Sequence, residues 1–552
     1  MTLTRDPARL GAAPFDLLVV GGGVHGLAAA YDAAARGLAV ALVERGDFGG
    51  GASFNHQKTA HGGLRALGGL RLGQARQSIR ERRALARIAP HLLRPIPFLV
   101  GTYGSLSKGR LALRAGFKLD AWLGRHRNDG IEPELRLPPA RLVSRTATLK
   151  LFPGVREAGL TGGATWYDYQ LVEADRVTIG LALAAARHGA ILANYVEALA
   201  PLRHDGRIAG MRVRDLLSRE EHDVRARVVL NAAGGDAAAI MKAFGDDRPF
   251  PVLKAVNVVT SRPAGDLALA APASTGRMLT MTPWRGRALV GTWQSPALAD
   301  PRDTGVSADE LQACLSDVNA AFPALKITPG EVTLVHRGLV PAVNGRRGPE
   351  LKPRHALIDH TASGAPGALT LVGVKYTTAR LAAERAVDRI MKLLGRAPGR
   401  STTAANTLPG AGIADHEALA IETGRAVGVD VDPLVRTHLV ATYAERCAPI
   451  IRLMGTRREL TERVSDRVPV TAAEIVHAIQ AESAVRLSDI VMRRTPLGSM
   501  EYPGDDAVRR VAAVVAAELG WDRGRIDEEL RQLGAAYPTG PRIPGTPTSR
   551  QS

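Results

Sequence analysis

FDLLVVGGGVHGLAAAYDAAARGLAVALVE, residues 15 to 44, decides the fold. A short apolar run, Leu17 to Val20, enters a glycine turn and leaves as a helix of small residues. A second apolar run, Leu38 to Val43, follows and ends on an acid. That order is β-α-β. The glycines of the GxGxxG pattern are Gly21, Gly23 and Gly26. The first permits the tight turn off the strand, the second lets a pyrophosphate approach the backbone, and the third lets helix and strand pack closely. Free N–H groups at the start of the helix face the phosphates, and the helix dipole favours negative charge there. Glu44 stands about twenty residues on, where a carboxylate accepts both hydrogen bonds of a ribose diol. Strand, glycine turn, helix and acid together predict a dinucleotide site, which a bare glycine triplet would not.

Directly after Glu44 comes a loop of glycine and small residues, Gly46 to Ser53, then Asn55, His56, Gln57, Lys58 and His61-Gly62-Gly63-Leu64-Arg65. A polar, glycine-rich segment in this place suits either a flat cofactor, whose approach the missing side chains allow, or a plain surface loop. Val228 to Ala233 is a buried-looking strand running into Gly234 and Gly235, and Leu369 to Val374 is another, turning at Gly373 before Thr377 opens the helix Ala379 to Leu394. Between about Phe250 and Val343 the apolar periodicity changes to two. That marks a β-rich insertion, an antiparallel sheet over a pocket.

The chain has 552 residues, which calls for two or three domains, and its 45% apolar content is ordinary for a globular protein. Cys314 and Cys447 are far apart and match no metal or redox spacing. Lysine and arginine exceed the acids by 72 to 54, a formal +18 that attracts phosphorylated substrates or anionic headgroups, or simply solvates exposed faces. Nucleic acid is not an expected partner, because aromatics are only 4% and no recognition motif accompanies the charge. The N-terminus lacks a signal-peptide pattern and no apolar stretch reaches the length of a membrane span. The expected location is cytoplasmic, with any membrane contact peripheral, on the inner face. Residues 105 to 127 mix Leu106, Leu111, Phe117, Trp122 and Leu123 with Lys108, Arg110, Arg114, Arg125 and Arg127. This composition suits a helix lying on an anionic bilayer, and equally a basic helix packed on its domain. Residues 396 to 410 read as a linker, and Glu474 to Arg494 as the strongest helix of the region beyond it.

Taken together, the 15 to 44 unit, KTAHGGLR at 58 to 65, EADR at 173 to 176, LNAAG at 230 to 234, TPW at 282 to 284, VGVKYTTAR at 372 to 380, TLPG at 407 to 410 and AEIVHAIQAESAVRLSDIVMRRTPLG resemble, in order, the FAD-dependent glycerol-3-phosphate dehydrogenases. The resemblance covers nearly the whole chain. It implies an α/β fold: a Rossmann-type FAD-binding domain over residues 15–395 with the β-rich substrate (cap) part at about 250–343, a linker at 396–410 and a C-terminal α-helical domain at 411–537. The ends, 1–14 and 538–552, are expected to be flexible and disordered.

The same resemblance implies FAD as the cofactor, bound through Gly21, Gly23, Gly26, Glu44, Arg45, Ser53, Lys58, His61, Gly62, Gly63, Val196, Ala233, Gly234, Gly373, Val374, Lys375 and Thr378. It assigns Arg65, Lys375 and Thr377 to the substrate. The implied reaction is oxidation of sn-glycerol 3-phosphate to dihydroxyacetone phosphate, with electrons passing to a membrane quinone or to oxygen; a second copy of the chain, in a homodimer, is a further expected partner. Three substrate-side positions depart from the family pattern: Ala66 stands where the family has Tyr, Asn257 where it has His, and Val340 where it has a phosphate-binding Arg. These departures keep open a related oxidase or dehydrogenase acting on another alcohol, hydroxy acid or amine, and a flavin-binding interaction module without turnover. Arg337, Arg346 and Arg347 are the nearby cations that would have to replace the lost arginine.

Overall fold

The computed structural model describes residues 2–64, 71–104, 110–345, 348–412 and 415–538. Arg65, Ala66, Arg346 and Arg347, and the expected tail from 539 onward, lie outside the described residues.

Phe15–Val20 is the central strand of a sheet ordered Ala356–Asp359, Ala368–Val372, Glu221–Asn231, Phe15–Val20, Val40–Glu44, Ile191–Asn194. All neighbours are parallel except the outermost pair at the Ala356–Asp359 edge. Strands buried on both faces need near-continuous apolar runs, which LLVV and VALV provide. Helices Val24–Ala35, Ala174–Arg187 and Ala379–Leu393 share one core against this sheet. The alanines of the first helix let the other two pack close. The carboxyl ends of three adjacent strands therefore deliver Gly21, Ala232–Gly235 and Gly373–Thr378 to one edge, where open α/β sheets bind ligands.

The second sheet is wider than the insertion read from the sequence. Its order is Gly348–Leu351, Val332–Gly345, Val252–Pro263, Arg287–Gln294, Met278–Trp284, Ala268–Pro272, Leu93–Tyr103, Leu160–Leu171, Thr59–Ala60. Three of these nine strands thus come from residues before 172. Leu93–Tyr103 escapes a periodicity search because Pro95 and Pro97 interrupt it. Thr59–Ala60 makes the flavin-side segment itself the last strand, paired with Gln170 and Tyr169.

Beyond residue 411 the chain is helical, and its core is continuous with Phe54, Trp284, Leu289 and Leu334 of the site region. Three expectations change here. The stretch 474–494 is not one helix: Ala472–Glu482 stops at Ser483 in the left-handed region (φ 54°), and Leu487–Asp489 and a π-turn, Ile490–Arg494, follow. The Asp489 carboxylate accepts the Val485 and Arg486 N–H groups and so fixes the break. The linker is packed, with Leu408 buried and its N–H donated to the Ile88 carbonyl at 2.7 Å. The N-terminus is not loose: Leu3 is buried and donates its N–H to Ala481 at 2.9 Å, and Arg5 pairs with Asp215.

Candidate active site

The glycine turn is shaped by contacts that exclude side chains. Gly21 has φ 110°, and an added Cβ would lie 2.7 Å from the Ala232 carbonyl oxygen; at Gly26 it would lie 1.9 Å from the Gly21 oxygen. At Gly23, which caps the helix in extended conformation, the same atom would meet only Ser53 Oγ at 3.2 Å. The turn is closed behind and open in front, as a pyrophosphate cradle requires. Ser53 Oγ accepts the Val24 N–H at 2.9 Å, so the loop is tied to the helix terminus. Glu44 accepts from the Gly22 and Gly46 N–H groups at 2.6 and 2.7 Å. Burial pushes its carboxyl above the ordinary value, and those two amides oppose the shift. Arg45 pairs with Asp236 at 3.0 Å on the rim, Val196 is buried at the start of the strand Val196–His204, Ala233 donates its N–H to Asn231, and Gly234 (φ 62°) has open space where a side chain would be.

The segment from Ser53 to Gly63 is held by a carboxylate that the sequence reading did not single out. Asp168 accepts the Gly62 N–H at 2.7 Å and the Trp166 indole N–H at 3.2 Å, pairs with the buried Arg82 guanidinium, and meets His61 Nδ1 at 3.3 Å. Burial would raise this carboxyl, but Arg82, His61 and the Gly62 amide outweigh it and hold it below the ordinary value. Trp166, Asp168 and Gln170 alternate along one strand, and that alternation was the available signal. Gly62 has no room for a side chain, since the Arg82 guanidinium lies 2.2 Å from its ideal Cβ, and Gly63 (φ 84°) packs on Ser78.

Two sequence-distant segments meet at Thr377, whose Oγ1 accepts the His61 N–H at 3.2 Å. Gly373 turns against the His25 ring, Val374 follows, Lys375 is exposed at the head of the short turn Tyr376–Thr378, and Thr378 is buried. The Tyr376 ring stacks on His56 at 4.3 Å. Lys58 departs from the expected placement. Its side chain is fully buried, donates to the Phe54 carbonyl and lies 4.4 Å from the Phe54 ring, where burial pulls the amine down to about 8.

On the roof, Asn257 stands opposite His336 in the strand register, and Val340 lies one face-repeat beyond Gly338, whose ideal Cβ would touch Ala52. Asn257 donates to the Asn55 carbonyl at 3.1 Å and accepts from Thr292 at 2.7 Å. His336 is fully buried, has Nδ1 3.3 Å from Asn55 Oδ1, and is pushed well below the ordinary imidazole value by burial and by Lys58 and His56. Arg337 is exposed and three residues from Val340, hence on the other face of the strand.

The Asp47 carboxylate, just past Glu44 and buried, accepts from the half-buried Arg493 Nε at 2.6 Å and from the buried Arg494 at 2.7 and 2.8 Å. Arg176 of EADR makes a bidentate pair with Glu482, both bonds 2.6 Å. These ion pairs fasten the helical region to the back of the cradle.

A family model described as FAD dependent oxidoreductase matches residues 16–422, and one described as C-terminal domain of alpha-glycerophosphate oxidase matches residues 401–526. The chain is 32% identical over 536 residues to glycerol-3-phosphate dehydrogenase 2 of Mycobacterium tuberculosis, with 95% of this chain and 88% of the relative covered. It is 29% identical over 547 residues to the glycerol-3-phosphate dehydrogenase of Synechocystis sp., with 94% and 95% covered. Among solved structures it is similar in fold to the glycerol-3-phosphate dehydrogenase from Bacillus halodurans complexed with FAD. That match has a TM-score of 0.73 at 23% identity and covers 96% of this chain and 95% of the other.

Proposed function

The chain belongs to the FAD-dependent oxidoreductases, among the glycerol-3-phosphate dehydrogenases, and we propose that it oxidises sn-glycerol 3-phosphate to dihydroxyacetone phosphate. The supporting observation is the match along nearly the whole chain to relatives of that name, with the glycine cradle and the Lys375–Thr378 turn on one edge of the sheet. Bound FAD supplies the hydride acceptor at N5. The Gly21–Gly26 turn and the helix start at Val24 bind the pyrophosphate, and the Ser53–Gly63 and Gly373–Thr378 segments enclose the ring system. Lys375 polarises the substrate oxygen, and Arg65 holds the anionic group with a planar fork. His61, with Nδ1 fixed by Asp168, takes the hydroxyl proton at Nε2 while Thr377 holds the backbone beneath it.

The electron acceptor is a quinone or oxygen. Among the described residues no helix is long and apolar enough to cross a membrane. We assign any contact with an anionic membrane to the basic helix Arg110–Leu123, in a cytoplasmic protein that is a monomer or a homodimer. The second reading, a sister enzyme for another alcohol, hydroxy acid or amine, is favoured by Asn257 and Val340 on the roof. Anaerobic mixing of the purified yellow protein with sn-glycerol 3-phosphate, hydroxy acids and amines separates the readings. Bleaching at 450 nm by glycerol 3-phosphate is expected. Bleaching only by another compound moves the chain to the second reading, and an unresponsive flavin leaves a module without turnover.

A further inference from the structure

Two strands of the first sheet carry a polar residue in an apolar run: Asn231 closes Glu221–Asn231, and Thr370 interrupts ALTLV at 368–372. They are register partners and both are fully buried. A buried polar side chain left unpaired is costly, so each needs an answer from outside the ladder. Asn231 Nδ2 donates to Thr370 Oγ1 at 3.1 Å and to the Ala237 carbonyl at 2.9 Å. Thr370 Oγ1 in turn lies 2.8 Å from Nε2 of His360, a fully buried residue just past the edge strand Ala356–Asp359, and His360 Nδ1 lies 2.7 Å from Asp246 Oδ2. Because the Thr370 oxygen already accepts from Asn231, its own hydrogen goes to Nε2, and Nδ1–H is donated to the carboxylate.

The relay has two ends. Outward, Asp246 accepts from the backbone N–H of the exposed Arg248 at 3.1 Å and from its Nε at 2.8 Å. Inward, Asn231 Oδ1 accepts the Ala233 N–H at 3.1 Å. Ala232 and Ala233 are the backbone wall behind Gly21, 2.7 to 2.8 Å from where its Cβ would stand. The same side chains brace both ends of the helix Ala237–Phe244. Asn231 holds its first carbonyl, and Asp246 follows its left-handed cap Gly245 (φ 91°) and donates its N–H to Met241 at 3.0 Å. A hydroxyl, an imidazole and a carboxylate in line are the parts of a nucleophilic triad. Here all three are buried, so they orient and do not react.

We propose that Asn231, Thr370, His360 and Asp246 are positioning residues for FAD: they hold the Ala232–Gly235 turn against the glycine cradle, and the hydroxyl–imidazole link sets how tightly the cofactor is kept. This rests on the reading that the cofactor lies across Gly21–Gly26 and the Ala233–Gly234 turn.

The test titrates the full-length chain, stripped of flavin, with FAD and follows the quenching of flavin fluorescence. Thr370→Val keeps the shape and removes the hydroxyl, and Kd for FAD should rise about tenfold. Thr370→Ser, which restores the hydroxyl, should stay within about twofold of wild type. Adding Asp246→Asn to Thr370→Val should change Kd little further, because the relay is already cut. Val318→Ala in the helix Ala308–Ala321, packed on the roof, opens a cavity of its own and should leave Kd unaltered. Amide exchange over residues 231–236 of the holoprotein should quicken in Thr370→Val and not in Val318→Ala. Wild-type affinity in Thr370→Val, or an equal loss in Thr370→Ser or Val318→Ala, overturns the proposal. Gly23→Ala, whose added methyl meets only Ser53 Oγ, tests the cradle separately. Wild-type FAD binding by Gly23→Ala overturns the underlying reading, whereas loss there with wild-type affinity in Thr370→Val overturns the relay alone.

Discussion

Gly26 and Val340, which we place in one site, are constrained in different ways. At Gly26 the nearest obstacle to a side chain is the backbone oxygen of Gly21, and at Gly21 it is the backbone of Ala232 and Ala233. No rotamer change relieves such a contact. On the roof, Val340 and His336 sit in regular antiparallel register opposite Leu253 and Asn257, where exchanging one side chain leaves the ladder intact. A chain built this way keeps its cofactor site or loses it whole, whereas its substrate chemistry shifts one residue at a time.

The sharpest way to break the contrast is Gly26→Ala. It should cost on the order of 5 kcal/mol, because the turn must open to admit the methyl group. The protein should purify colourless, as read from the ratio of 450 to 280 nm absorbance. A yellow, stable Gly26→Ala protein would show that the cradle yields like the roof.

Next comes the part of the cradle that does rest on side chains. Asp47→Asn leaves the buried Arg494 and the half-buried Arg493 with a weakened partner and should lose roughly 3–4 kcal/mol in urea unfolding at pH 7. Burial would raise the Asp47 carboxyl, but Arg494 and Arg493 hold it down to about 2, from 3.8. A carboxyl lowered by folding stabilises above its unfolded value and loses that contribution as the pH falls through the folded one. The difference between wild type and Asp47→Asn should therefore shrink from pH 3.8 down to about 2. A difference that stays constant across that window would mean the pair does not set it.

The smallest effect is expected on the roof. Val340→Arg with Asn257→His should leave flavin content unchanged and raise kcat/KM for sn-glycerol 3-phosphate about tenfold, close to 1.4 kcal/mol. Steady-state kinetics with that substrate and its unphosphorylated parent alcohol would read the change. A loss of flavin would join roof and cradle into one unit.

The cradle was legible because its parts lie within thirty residues and each glycine answers a backbone demand. The roof was half legible. Strands beyond residue 250 alternate cleanly, but Leu93–Tyr103 and Leu160–Leu171 join them through pairings that no local pattern encodes. Asp168 was missed for the same reason, since its partners Gly62 and Arg82 lie 106 and 86 residues away. The broken helix at Ser483 was illegible because its cause is remote: Asp489 caps the break and binds Arg493, which reaches Asp47 across 446 residues. Arg65 and Ala66, where motif reading was most specific, lie outside the described residues.

The Asp47–Arg494 pair also orders events during synthesis. Strand, turn and helix of the cradle leave the ribosome first, yet the arginine that closes them from behind is 447 residues downstream. The N–H of Leu3 likewise waits for Ala481. A nascent chain therefore carries an unlatched cradle until Arg494 has been made, and tight flavin loading becomes a late step of its biogenesis.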